Sequence, residues 1–104
     1  MKQVLIDKIF IKADSKEEFL LRLKASRDFV SKQQGFVKDE FYAQTEQSGD
    51  MIVFTIVIWE NPEALAKGRE AVKAEYERTG FNLKEFCQKH NIKIEPGTYQ
   101  LLEG

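Results

Sequence analysis

The chain has 104 residues, enough for one small domain and too few for two. With 42% hydrophobic and 32% charged residues it has the make-up of a folded globular protein, which excludes a disordered one. Sixteen Lys and Arg stand against seventeen Asp and Glu, and no clustered basic stripe offers itself to a nucleic acid.

A single cysteine, Cys87, allows no intrachain disulfide and fits a reducing compartment. With one His beside it, no Cys/His metal cluster can form, and no metal is expected. The N-terminal run MKQVLIDKIFIKADS is interrupted by Asp7 and Lys8 and lacks a small-residue cleavage site. No stretch approaches the ~20 apolar residues of a membrane span. The expectation is a cytoplasmic protein with no membrane partner.

In chain order, Val4 to Lys12 is rich in β-branched and aromatic residues and predicts a first strand. Ser15 opens S-K-E-E, a capping box, and Phe19, Leu23, Ser26 and Val30 then form the inner stripe of a helix. Gly35 is expected to end that helix as a left-handed cap. Phe36 to Thr45 and Met51 to Trp59 predict two strands joined as a hairpin by the polar turn Glu46–Asp50.

Asn61-Pro62-Glu63 starts a second helix: Asn as the cap, Pro where its missing N–H costs nothing, and Glu at the positive end of the dipole. Its inner stripe is Leu65, Gly68, Val72 and Tyr76. Gly68 is unfavourable in a helix interior, so something should approach the backbone there. Thr79-Gly80 breaks the helix, and Asn82 to Glu85 opens a short third helix through His90 with a second capping box. Ile92 to Leu102 is the last strand, with Pro96-Gly97 as a bulge or bend suited to an edge. The order βαββαβ predicts an α+β, ferredoxin-like domain with an antiparallel four-stranded sheet.

The third strand is apolar on both sides. Met51, Val53, Thr55, Val57 and Trp59 share one face; Ile52, Phe54, Ile56 and Ile58 share the other. A sheet with one solvated face alternates apolar and polar residues, and this strand does not. Leaving the second face in water would forgo roughly 1.5–3 kcal/mol per large side chain. A second copy of the chain is therefore expected to cover it, giving a homodimer.

The strings V-L-I-D, K-E-E-F, Q-x-G-F and above all I-W-E-N-P-E-A-L resemble the antibiotic biosynthesis monooxygenase (ABM) domains, in order and spacing along nearly the whole chain. The resemblance implies a dimeric α+β barrel with a cavity between helices and sheet that holds a flat phenolic or quinol substrate. Some such enzymes oxygenate their substrate with no cofactor, because an electron-rich phenolate can itself reduce dioxygen. Where the cofactor-free enzymes carry an Asn four residues before the strand-three Trp, this chain has Thr55, with Trp59 retained. The haem-degrading branch uses a Trp and a His in the second helix; between Asn61 and Thr79 there is neither.

Under that resemblance Thr55 would orient a substrate hydroxyl and Trp59 would stack on its ring, although a core role suits Trp59 as well. His90 is the only imidazole and hence a candidate general base, against which stands its place at a helix end facing solvent. Asp7 interrupts an apolar strand, where a raised pKa would suit a base and a contact with a Lys or with the dimer mate would explain it equally. Tyr76 and Tyr99 are candidates for binding the substrate, or packing residues with satisfied hydroxyls. Cys87 reads as a small buried hydrophobe. Three functions compete: a cofactor-independent monooxygenase, a dimeric binding module for a small hydrophobic ligand, and an interaction protein whose interior is filled by its eight Phe residues.

Overall fold

The computed structural model describes residues 1–102. Four strands, β1 (Gln3–Ile11), β2 (Phe36–Thr45), β3 (Met51–Trp59) and β4 (Lys93–Tyr99), form one antiparallel sheet in the order β2-β3-β1-β4. Three helices, α1 (Lys16–Val30), α2 (Pro62–Thr79) and α3 (Leu83–Lys89), complete the expected ferredoxin-like arrangement. The molecule measures 40 × 40 × 18 Å. A thickness of 18 Å is that of one helix layer on one sheet, so the other sheet face is uncovered. Among the described residues no helix is long and apolar enough to cross a membrane.

Local chemistry explains most boundaries. Asn61 Oδ1 accepts the Ala64 N–H at 2.8 Å and Pro62 opens α2, while Gly80, at φ 72°, closes it. Asn82 Oδ1 likewise accepts the Glu85 N–H at 3.0 Å and starts α3.

Three local expectations need correction. Ser15 makes no side-chain cap for α1, because a 3-10 turn over Ala13–Ser15 buries it and its N–H donates to the Lys12 carbonyl. Gly35 does not cap α1, which ends at Ser31 in right-handed geometry. Gly35 does have φ 86°, but it lies in the loop before β2, where Ala64 would collide with any Cβ and the Glu60 N–H donates to its carbonyl. Finally, β4 runs without a bulge at Pro96-Gly97, pairing in continuous register with β1. The irregularity falls instead between Phe36 and Lys38 of β2.

The helix-facing side of the sheet has two cores. Ile9, Ile11, Phe19, Met51, Val53 and Ile92 pack at one end of the strands. Trp59, Ala64 and Leu65 pack at the other. Between them lie Asp7 and Thr55, which belong to neither. At the Trp59 end the approach to α2 is close: a Cβ on Gly68 would stand 2.7 Å from Trp59 Cζ2. Gly68→Ala is therefore expected to destabilise the fold by about 1–3 kcal/mol in urea unfolding, although Ala is the better helix former. An unchanged or increased stability would mean that α2 shifts freely over the indole.

Candidate functional site

The site is built on one row of the sheet. Phe41, Thr55, Asp7 and Pro96 are successive partners across β2, β3, β1 and β4, so they stand side by side. Strand alternation turns them toward the helices. A cavity of about 290 Å³ lies above this row, in the gap between the two cores. Leu5, Asp7, Phe41, Thr55 and Val57 contribute its floor, Arg22, Ser26 and Arg27 of α1 and Val72 and Tyr76 of α2 its roof, and Phe86 and Cys87 of α3 one end. Its size is at the lower end of the ~300–1,000 Å³ of small-molecule sites.

Asp7 is half-buried on a central strand. Burial pushes its carboxyl above the ordinary range, and the charge of Arg69 on α2 opposes that push only in part. Thr55, its cross-strand partner, is buried with its hydroxyl-bearing side chain on the cavity wall. The two form a polar spot in a mostly aliphatic and aromatic enclosure. Burial also pushes the Cys87 thiol up, so it stays protonated at neutral pH and acts as wall, not nucleophile.

Sequence reasoning missed the charged side chains of the roof. Arg27 grips Asp39 of β2 with two hydrogen bonds, Nε to Oδ2 at 3.0 Å and Nη2 to Oδ1 at 2.9 Å. Its guanidinium also lies 4.4 Å from the centre of the Phe41 ring. Arg22 stacks on Phe81 at 3.5 Å, with Tyr76 at 5.3 Å. A signal was present: Arg22 falls three residues after Phe19 and four before Ser26, at the margin of the buried stripe of α1.

The sequence-predicted residues divide accordingly. Asp7, Thr55 and Tyr76 meet at the cavity. Trp59 shares the face of Thr55 but not the cavity; it is buried between Phe36 (ring centres 6.1 Å apart) and Gly68. It borders a smaller apolar space of about 210 Å³ on the far side of Leu5 and Val57. Its Nε1 has no hydrogen-bond partner there. His90 follows α3, its ring 4.6 Å from that of Phe86, and lies outside the cavity. Tyr99 projects from the uncovered face, half-exposed, with its ring across Gly97. Among the described residues no three His, Cys, Asp or Glu gather as metal ligands.

No protein-family model matches the chain, and no curated protein does. Solved structures do. A proposed monooxygenase of Shewanella loihica PV-4 superposes with a TM-score of 0.71 at 16% identity, over 99% of this chain and 96% of that one. SnoaB, a cofactor-independent oxygenase of Streptomyces nogalater, gives 0.63 at 17% identity, over 100% and 97%. A proposed antibiotic biosynthesis monooxygenase of Bacillus cereus gives 0.63 at 16% identity, over 100% and 94%. At these identities the likeness establishes the fold: this chain has the ferredoxin-like α+β architecture found in the ABM-type proteins.

Proposed function

We propose that this protein is a cofactor-independent monooxygenase acting on a small phenolic or quinol-like metabolite held between the helices and the sheet. The observation that carries the reading is the Asp7–Thr55 pair on the floor of a cavity whose walls are mostly aliphatic and aromatic. A carboxylate whose proton affinity is raised by burial is suited to take a proton from a weakly acidic phenol or ring CH. The Thr55 hydroxyl can hydrogen-bond the resulting oxyanion, and the apolar walls and Tyr76 hold the ring and exclude water. The anion then reduces dioxygen. For an anthrone the balance is one ring CH2 plus O2 giving one ring C=O plus water. The fold shared with SnoaB, itself a cofactor-independent oxygenase, supports this reading.

A binding module for a small hydrophobic ligand is the competing reading, favoured by Thr55, which offers a hydroxyl but no amide. Oxygen uptake by purified protein with a panel of hydroquinones and anthrones separates the two. Turnover is expected, with kcat reduced roughly 100-fold or more in Asp7→Asn and less in Thr55→Val. Phenol binding without oxygen uptake would establish the module instead.

The state of Asp7 has a second readout. A carboxyl whose pKa is raised in the fold holds its proton while the unfolded chain has already released its own. Its contribution to stability is therefore greatest below the ordinary carboxylate pKa and is lost as pH rises through the folded value. Asp7→Asn is expected to raise the melting temperature near pH 7 and to leave it unchanged near pH 3. An equal effect at both pH values would mean that Asp7 is not desolvated.

The uncovered sheet face is proposed to join two copies. Val4, Ile6, Phe10, Ile52, Phe54, Ile56 and Ile58 make its centre together with Lys8, whose ammonium lies over the Phe10 and Phe54 rings, while β2 and β4 contribute Lys38, Glu40, Lys93 and Glu95 at its margins. A largely apolar centre, with one lysine laid over its aromatic rings, inside a charged rim is the anatomy of an interface. Four strands about 4.8 Å apart and seven to ten residues long make a face of roughly 20 by 30 Å, of the order a standard interface needs. Sedimentation should show a dimer, and Phe54→Asp, at a position 40% exposed in the single chain, should give a folded monomer. A monomeric wild type at micromolar concentration would exclude the pairing.

A further inference from the structure

The charges around the cavity do not balance: Arg69 acts on Asp7 from outside the lining, with only a 3.5 Å contact to Thr98 Oγ1, and on the wall itself Arg22 is the arginine without a carboxylate. Arg27 is neutralised by its two bonds to Asp39. Arg22 has no salt bridge among the described residues, and its Nε–H is buried without an acceptor. The carboxylate beside it, Glu75, is taken up by Arg78 through bonds of 2.7 and 3.0 Å. Yet Arg22 is not loose: its guanidinium is held flat against Phe81 and beside Tyr76. A cation that is fixed in place, partly desolvated and unpaired, on the wall of a cavity, is arranged to receive an anion. Arg22 also borders a groove of about 170 Å³ between α1 and α2, which adds space behind it but no basic or acidic group other than Glu75.

We propose that the molecule bound in this cavity is an aromatic acid, whose carboxylate pairs with Arg22 while its hydroxylated ring lies over Asp7 and Thr55. The inference rests on the reading of the cavity as the site for a phenolic ligand and narrows its substrate class. The two charged side chains then act on opposite groups of one ligand. Arg22 takes the carboxylate and sets the direction in which the ring enters. Asp7, on the strand below, meets the hydroxyl, since an acid group turned toward it would face a second carboxyl.

The test is a calorimetric titration of the full chain near neutral pH with a hydroxynaphthoic acid, its methyl ester and the parent naphthol. The acid should bind at least about tenfold more tightly than either neutral compound. Arg22→Met should remove that margin by weakening the acid's binding far more than the ester's, and Arg22→Lys should retain part of it. Equal binding of acid and ester by the wild type, or a margin that survives in Arg22→Met, would overturn the role of Arg22 and leave the phenol site standing. Binding of none of the three would overturn both. If Arg22→Met fails to fold, Arg22→Lys carries the test of Arg22: an undiminished margin in that variant would overturn its role, and equal binding of acid and ester by the wild type would overturn carboxylate recognition altogether.

Discussion

The indole of Trp59 against the bare backbone of Gly68 sets how closely α2 lies on the sheet, and much of the domain follows from it. Together with Ala64 on Gly35, it holds the N-terminal half of α2 tight against β3 and the loop before β2. The other half carries Val72 and Tyr76, which do not reach a filled core but roof a cavity. At the opposite end of the strands Phe19 and Ile92 close the sheet around Ile9, Ile11, Met51 and Val53. A two-layer domain pinned at both ends has its slack in the middle. That is where the polar row of the sheet is found.

The polarity of that row is tuned by its surroundings more than by direct partners. Asp7 is opposed by Arg69 from α2 but raised on balance by desolvation, so the apolar walls outweigh the cation. On the roof the order is reversed. Arg27 is spent on Asp39 and lies over Phe41, which ties α1 to the edge strand β2. Such a clamp holds the roof in position without placing a free charge in the cavity.

The fold was largely legible in the sequence because its signals are local. The apolar run of β3, interrupted only by Thr55, the polar turn before it and the N-P-E start of α2 each determine their own element. Ser15 failed as a cap because a competing 3-10 turn takes its backbone, a choice that depends on how the chain leaves β1. Tyr99 shows how parity carries a site residue away. A bulge at Pro96-Gly97 would have turned it to the helix side; regular pairing with β1 leaves Ile94 inside and Tyr99 outside. The floor of the candidate site was legible for the same reason, since Asp7 and Thr55 announce themselves as polar residues in apolar strands. The arginines did not, because a charged residue on a helix reads as solvated until Phe81, from the loop after α2, is seen to cover it.

The division of the interior into two cores also bears on how such a domain can change. Residues of the middle row contribute little to either core, so their replacement leaves both seals intact. The residues that seal the fold and those that line the cavity thus lie in different rows of the same sheet. A lineage built on this plan can exchange the groups at the Thr55 and Asp7 positions, and with them the polarity of the cavity floor, while the rows on either side go on holding the fold.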